Sequence, residues 1–91
     1  MKTNLFIFSS KESYKKYYPY LEGVRTYGFS AEVLNLFEPG KKSEDIKIDK
    51  YLLIFSDKKI EALNGDPKFR LLEKLTMSKD VIEEIDQSCL K

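Results

Sequence analysis

The chain carries the same pattern twice: Leu5-Phe6-Ile7-Phe8-Ser9-Ser10-Lys11 is echoed by Leu52-Leu53-Ile54-Phe55-Ser56-Asp57-Lys58. An unbroken apolar run of this length is what a strand covered on both faces needs, and its abrupt polar end marks where the chain leaves the core. Two such runs predict two buried strands side by side. If they are parallel, both polar ends emerge at one edge of the sheet, where open α/β sheets place their ligand crevices.

Between them the pattern changes period. Ser9-Ser10-Lys11-Glu12 fits a capping box, with Ser9 as the cap and Glu12 reaching back, so a helix is expected to start there. Tyr14, Tyr17, Tyr18 and Leu21 recur at helical spacing on one face, opposite Lys11, Lys15 and Glu22. Pro19 falls inside this pattern as a kink or a new turn, and Gly23 and Gly28 mark the region of its end. Residues 31–37 read as a second strand closed by the turn Glu38-Pro39-Gly40, which makes a βαβ unit with parallel strands and a right-handed crossover. Residues 41–50 are polar apart from Ile46 and Ile48, and fit a loop, an irregular strand or one helical turn. Residues 51–56 form the third strand.

Two readings compete for residues 57–65. In one, Asp57 caps a short helix with Ile60 and Leu63 inward and Gly65 at its end. In the other, which we prefer, Asp57-Lys58-Lys59 turns a hairpin and residues 60–63 run back as an antiparallel strand. Asp66-Pro67 then resembles an N-cap followed by proline at the first helical position, with Phe69, Leu72 and Leu75 as the buried stripe of a helix. Ser78 is expected to cap a last helix, residues 78–90, bearing Val81, Ile82, Ile85 and Cys89 inward and Asp80, Glu83, Glu84 and Asp86 outward. The expected architecture is one α/β domain over residues 1–91, its core in 3–77. It has a sheet of three or four strands, an N-terminal βαβ unit, C-terminal helices and helices on both faces.

Composition narrows the chemistry. With no histidine and a single cysteine among 91 residues, histidine-based catalysis, an internal disulfide and the usual zinc sites are excluded. Sixteen basic against fifteen acidic residues give a net charge of +1, so nothing global drives the chain to nucleic acid or an anionic membrane. The basic side chains are lysines except for Arg25 and Arg70. That lysine excess with no tryptophan is what an AT-rich coding genome produces, as in a phage, a mobile element or a low-GC bacterium. The apolar stretch after Met1 is too short for a secretion signal, and no segment reaches the length of a membrane span. A soluble cytoplasmic protein is expected.

In the hairpin reading the order is strand, helix, strand, an ambiguous segment, strand, turn, strand, helix, and over residues 3–77 this resembles the thioredoxin and glutaredoxin fold. Where that family carries its redox Cys-x-x-Cys, after the first strand, this chain has Ser10-Lys11-Glu12-Ser13. The family's cis-proline is missing too, because Ile48-Asp49-Lys50 precedes the third strand. Serine provides neither disulfide nor low-pKa thiolate, so the resemblance implies a redox-inactive relative kept for binding.

Two groups of residues are candidate sites. Ser9, Ser10, Lys11, Ser56, Asp57 and Lys58 gather at the strand ends and would suit a phosphate ligand or nucleotide, although capping and turn formation account for the same residue types. No Gly-rich loop accompanies them. Five of the six tyrosines lie between residues 14 and 27 among lysines. Tyr14, Tyr18 and Leu21 are expected in the core. Tyr17, Tyr20 and Tyr27, with Lys15, Lys16 and Arg25, are left to form an exposed patch suited to a protein partner or, less favourably, to single-stranded nucleic acid. Glu44, Asp45 and Asp49 match no calcium loop, and Cys89 reads as a small core or fraying residue. The expectation is a non-enzymatic regulator or inhibitor, without cofactor or metal, that docks on a protein.

Overall fold

The computed structural model describes residues 2–75 and 78–90. Its elements are β1 (Thr3–Phe8), α1 (Lys11–Thr26), β2 (Ala31–Asn35), β3 (Tyr51–Ser56), β4 (Phe69–Leu71) and α2 (Ser78–Cys89), with single 3-10 turns at Ser43–Asp45, Ile48–Lys50, Glu61–Leu63 and Leu72–Lys74. The four strands form one sheet in the order β2-β1-β3-β4. Every neighbouring pair is parallel. The α/β class, the N-terminal βαβ unit and the C-terminal helix are as expected, and the two echoed runs are indeed the central strands.

β1 and β3 pair Phe6 with Phe55, whose rings stack at 4.8 Å between centroids. Alternation along β1 sends Phe6 and Phe8 to one face and Leu5 and Ile7 to the other. On the first face they meet Tyr17, Leu21 and Val24 of α1 and Val81 and Ile85 of α2. On the second they meet Ile60 and Leu63, with Ile46, Ile48 and Phe69 at the margin. An irregularity in the β1–β3 ladder advances two residues on β1 (Thr3 to Leu5) against three on β3 (Tyr51 to Ile54). Such a bulge changes which face a side chain takes, and it puts Tyr51 on the same side as Ile54.

Both helices therefore lie on one face, a correction to the expectation of helices on both. Right-handed crossovers explain the sidedness. The chain moves outward from β1 to β2 over the first face, then must return over the opposite face to reach β3 and β4. The residues available for that return, 36–50 and 57–68, carry no long helical stripe, so they cover it with 3-10 turns.

The segment after β3 corrects the preferred reading. There is no hairpin and no antiparallel strand: Ile60 leads into the 3-10 turn Glu61–Leu63, closer to the short-helix alternative. Gly65 reverses the chain with φ of 79°, a left-handed conformation that glycine adopts without strain. Asp66 does cap, but it caps a turn: its Oδ1 accepts from the Lys68 amide at 2.8 Å and its carbonyl from the Phe69 amide at 3.1 Å. The expected helix at Asp66-Pro67 is instead β4 followed by one 3-10 turn. The exposed side of β3 decides this, since its buried backbone groups need partners, and the Ile54 amide finds one in Lys68 O at 2.9 Å. The strand after β3 is thus Phe69–Leu71 and parallel, where an antiparallel strand over residues 60–63 was expected.

At α1 the cap is Ser10, whose side chain accepts from the Ser13 amide, and not Ser9. Helix continues through Pro19. α1 and α2 approach closely at Gly23, where an added Cβ would stand 3.1 Å from Ser78 Cβ. β2 stops at Asn35, two residues short of the expected end, although the Leu36 amide still bonds Phe8 O at 2.8 Å. Residues 76 and 77, the expected junction between core and last helix, lie outside the described residues. Cys89 ends α2 exposed, so it does not extend that helix's buried stripe.

Both outer edges of the sheet are partly closed by arginine. In a parallel ladder alternate residues bond to the neighbour, and the Asn4 to Ser30 and Leu36 to Phe8 bonds leave the backbone of Ala31, Val33 and Asn35 facing outward. Arg25 Nη2 donates to Ala31 O at 3.1 Å. On the opposite edge Arg70 Nη1 donates to Phe69 O at 2.9 Å and Pro67 O at 2.6 Å, while its Nε pairs with Glu84 at 3.1 Å.

Candidate functional site

The strand-end cluster is where the sequence placed it, at the shared carboxyl edge of β1 and β3. Its internal bonding is the informative part. Asp57 is 8% exposed, and its Oδ2 accepts from the Ser9 hydroxyl at 2.6 Å and from the Ser9 amide at 3.1 Å. Burial by itself would push the carboxyl up, but the hydroxyls of Ser9 and Ser13 and the amides of Ser9 and Asp57 outweigh it and hold the group below its ordinary value. Ser10 is spent on capping α1, and buried Ser56 accepts from the Lys58 amide at 3.2 Å through Oγ. Lys11 and Lys58 point to solvent. An anion arriving here would meet Asp57 already on the Ser9 donors. The arrangement fastens two strand ends together.

The tyrosine segment divides differently from its expected grouping. Tyr17 belongs to the core with Leu21 and Val24, a correction that follows from the true stripe running at 17, 21 and 24. Lys16 lies over its ring at 5.2 Å. Tyr20 is half-buried and donates to Leu75 O at 2.6 Å, and burial, with Tyr17 and Asp80 nearby, raises its phenol above the ordinary value. Tyr18, expected in the core, is exposed, as is Tyr27. Tyr14 is half-buried, between Phe8 and Tyr18. Tyr27 instead stacks on Phe29 beyond the end of α1. Lys15, Lys16 and Arg25 are exposed. Tyr18 and Tyr27 stand nine positions apart, about half a turn out of phase, so no single tyrosine patch forms.

A polar triad sits on the turn-covered face. Tyr51 donates to Glu32 Oε2 at 2.9 Å, and Lys50 pairs with Glu32 Oε1 at 3.0 Å. Hydrogen bonds from Lys50 and Tyr51 lower the Glu32 carboxyl, while burial, reinforced by Glu32, pushes the Tyr51 phenol up to about 12. This triad ties β2 to β3 across β1.

A groove that sequence reasoning missed runs beside β4. Its volume is about 600 Å3 and it is lined by Ile60, Phe69, Leu71 and Leu75, with Lys59 and Lys74 at its rim. Asn64, Gly65, Glu61 and Arg70 complete the wall. This is within the ordinary size range of binding pockets, and its lining mixes four apolar side chains with four charged ones and one amide. It arises because the turn at Gly65 and β4 leave the sheet's edge uncovered by any further strand. Read as a helix, residues 66–75 gave no hint of it.

Together the sheet order and both faces define a small parallel α/β domain with an apolar hollow at one edge. Among the described residues no helix is long and apolar enough to cross a membrane. Comparison with protein-family models, with curated proteins and with solved structures found no match.

Proposed function

We propose that this chain is a small cytoplasmic module that docks on a protein partner and regulates or inhibits it by occlusion, with the groove beside β4 as its docking surface. The groove carries the reading: it combines an apolar floor with lysines at its rim, while Asp57 fills the donor set at the strand ends. Because Arg70 and Asp66 already engage the backbone of Phe69, an occupant is held by side chains and not by extending the sheet. The phage or mobile-element origin suggested by composition suits such a role.

The test is retention of a partner from host lysate, with and without nuclease treatment, by four immobilised proteins. The wild type and a Tyr18→Ser/Tyr27→Ser variant should retain the same stoichiometric species, and Asn64→Trp, which puts uncharged bulk into the groove from an exposed position, should lose it. Loss with the tyrosine variant alone would move the surface to α1. Loss with Lys11→Ala/Lys58→Ala alone would favour a phosphate ligand at the strand ends, and loss on nuclease treatment a nucleic acid.

A further inference from the structure

Resting on the docking reading, we infer that the groove beside β4 recognises an acidic peptide segment with apolar anchors, Lys59 and Lys74 pairing with its carboxylates while an apolar side chain fills the floor formed by Ile60, Phe69, Leu71 and Leu75. Charge decides the sign of the partner. The lining holds Lys59, Arg70 and Lys74 against Glu61. Arg70 is committed to Glu84 and to two backbone carbonyls. Lys59 and Lys74 are exposed, and among the described residues neither has an ion-pair partner. Glu61 offsets one of the two lysines, so the groove keeps one positive charge in excess; a bound basic segment would meet net repulsion there, and an acidic one gains pairs with Lys59 and Lys74, which set orientation and specificity more than affinity.

The class follows from the floor and from the size of the charge. Two free lysines neutralise too few phosphates to hold a nucleic-acid strand at physiological salt, and the aliphatic floor offers a single ring, Phe69, where successive bases need several to stack. A concave hollow of about 600 Å3 accepts an inserted side chain, which a bilayer surface does not supply. The hollow is also where hot-spot anchors belong, since a large side chain desolvated in a pocket dominates binding and rim charges steer it.

The experiment is selection of a random twelve-residue peptide library on the wild-type protein, with the enriched pool then measured by fluorescence anisotropy on the wild type, on Lys59→Glu/Lys74→Glu and on Asn64→Trp. Both lysines are exposed surface residues, and far-ultraviolet circular dichroism confirms the variants' fold. The expected pool is enriched in Asp and Glu next to Leu, Ile or Phe. Its peptides should bind the charge-reversed protein at least about tenfold more weakly and lose affinity as salt rises. An enriched pool that is neutral or basic, yet still lost on Asn64→Trp, overturns the acidic partner while leaving the groove as a docking surface. A pool that binds Asn64→Trp as well as the wild type, or no enrichment at all, overturns the inference, and the retention experiment then decides separately whether the docking reading falls with it.

Discussion

Asp57 shows how one carboxylate can look like part of a ligand site and act as a fastener. Its bonds to Ser9 are charge-assisted and buried, the kind worth about 1.5–3 kcal/mol each. Asp57→Asn should destabilise the fold by about 2 kcal/mol, measured by urea unfolding at neutral pH. The folded carboxyl lies below its unfolded value of about 3.9, so its contribution is complete above that pH and fades as pH falls through the lower folded value. Wild-type stability should therefore drop below about pH 4 more steeply than that of Asp57→Asn. Tyr51 has the opposite sign: with its phenol raised to about 12, its contribution is whole below the unfolded value of about 10 and disappears as pH rises through the folded one. Absorbance titration at 295 nm should show the most delayed phenol of the wild type ionising only with unfolding and absent from Tyr51→Phe, whose alkaline stability profile should be flatter. Ser9, Ser10 and Asp57 were each legible as capping or turn residues. Which of them capped and which crossed between strands was not, because a distance between the ends of β1 and β3 is not written in either segment.

Among the elements, the two central strands and α1 were the most legible, since an unbroken apolar run and a helical stripe each have one economical solution. The stretch from Asp57 to Leu75 was least so. Asp-Pro followed by Phe69, Leu72 and Leu75 satisfies the local rules for a helix, yet the unpaired edge of β3 recruits Phe69–Leu71 as a strand. Local capping chemistry is common to turns and helices, and only the neighbouring strand breaks the tie. The groove was hidden for the same reason. The contact of α1 with α2 gives a prediction at this scale. Gly23→Ala would gain about 1 kcal/mol from helix propensity alone, but its new methyl would stand 3.1 Å from Ser78 Cβ, a contact tight enough that Ser78 must shift to admit it. The single variant should fail to gain stability, and Gly23→Ala/Ser78→Gly should be more stable than Ser78→Gly, as read in a thermal-denaturation cycle.

Viewed whole, the molecule has one face sealed by two α-helices and another sealed by single turns with intermediate burial at Leu34, Leu36, Ile46 and Ile48. Turns with few long-range bonds open at lower free energy than packed helices. Hydrogen exchange should be faster for the amides of residues 43–50 and 61–64 than for those of residues 17–24 in α1, and equal protection of the two sets would contradict this. The groove adjoins the more easily opened face, which suits a surface that must adapt to an occupant.

The arginines at the two edges have a consequence for behaviour in concentrated solution. A parallel sheet with bare flanks offers a template on which other copies can add strands, and this chain is nearly neutral, with little mutual repulsion to keep copies apart. Each guanidinium occupies an outward carbonyl that an incoming strand would need. Removing both, as in Arg25→Ala/Arg70→Ala, should shorten the time for which a concentrated sample stays clear by light scattering more than it lowers the melting temperature. The chain's two arginines would then protect its solubility as much as its fold.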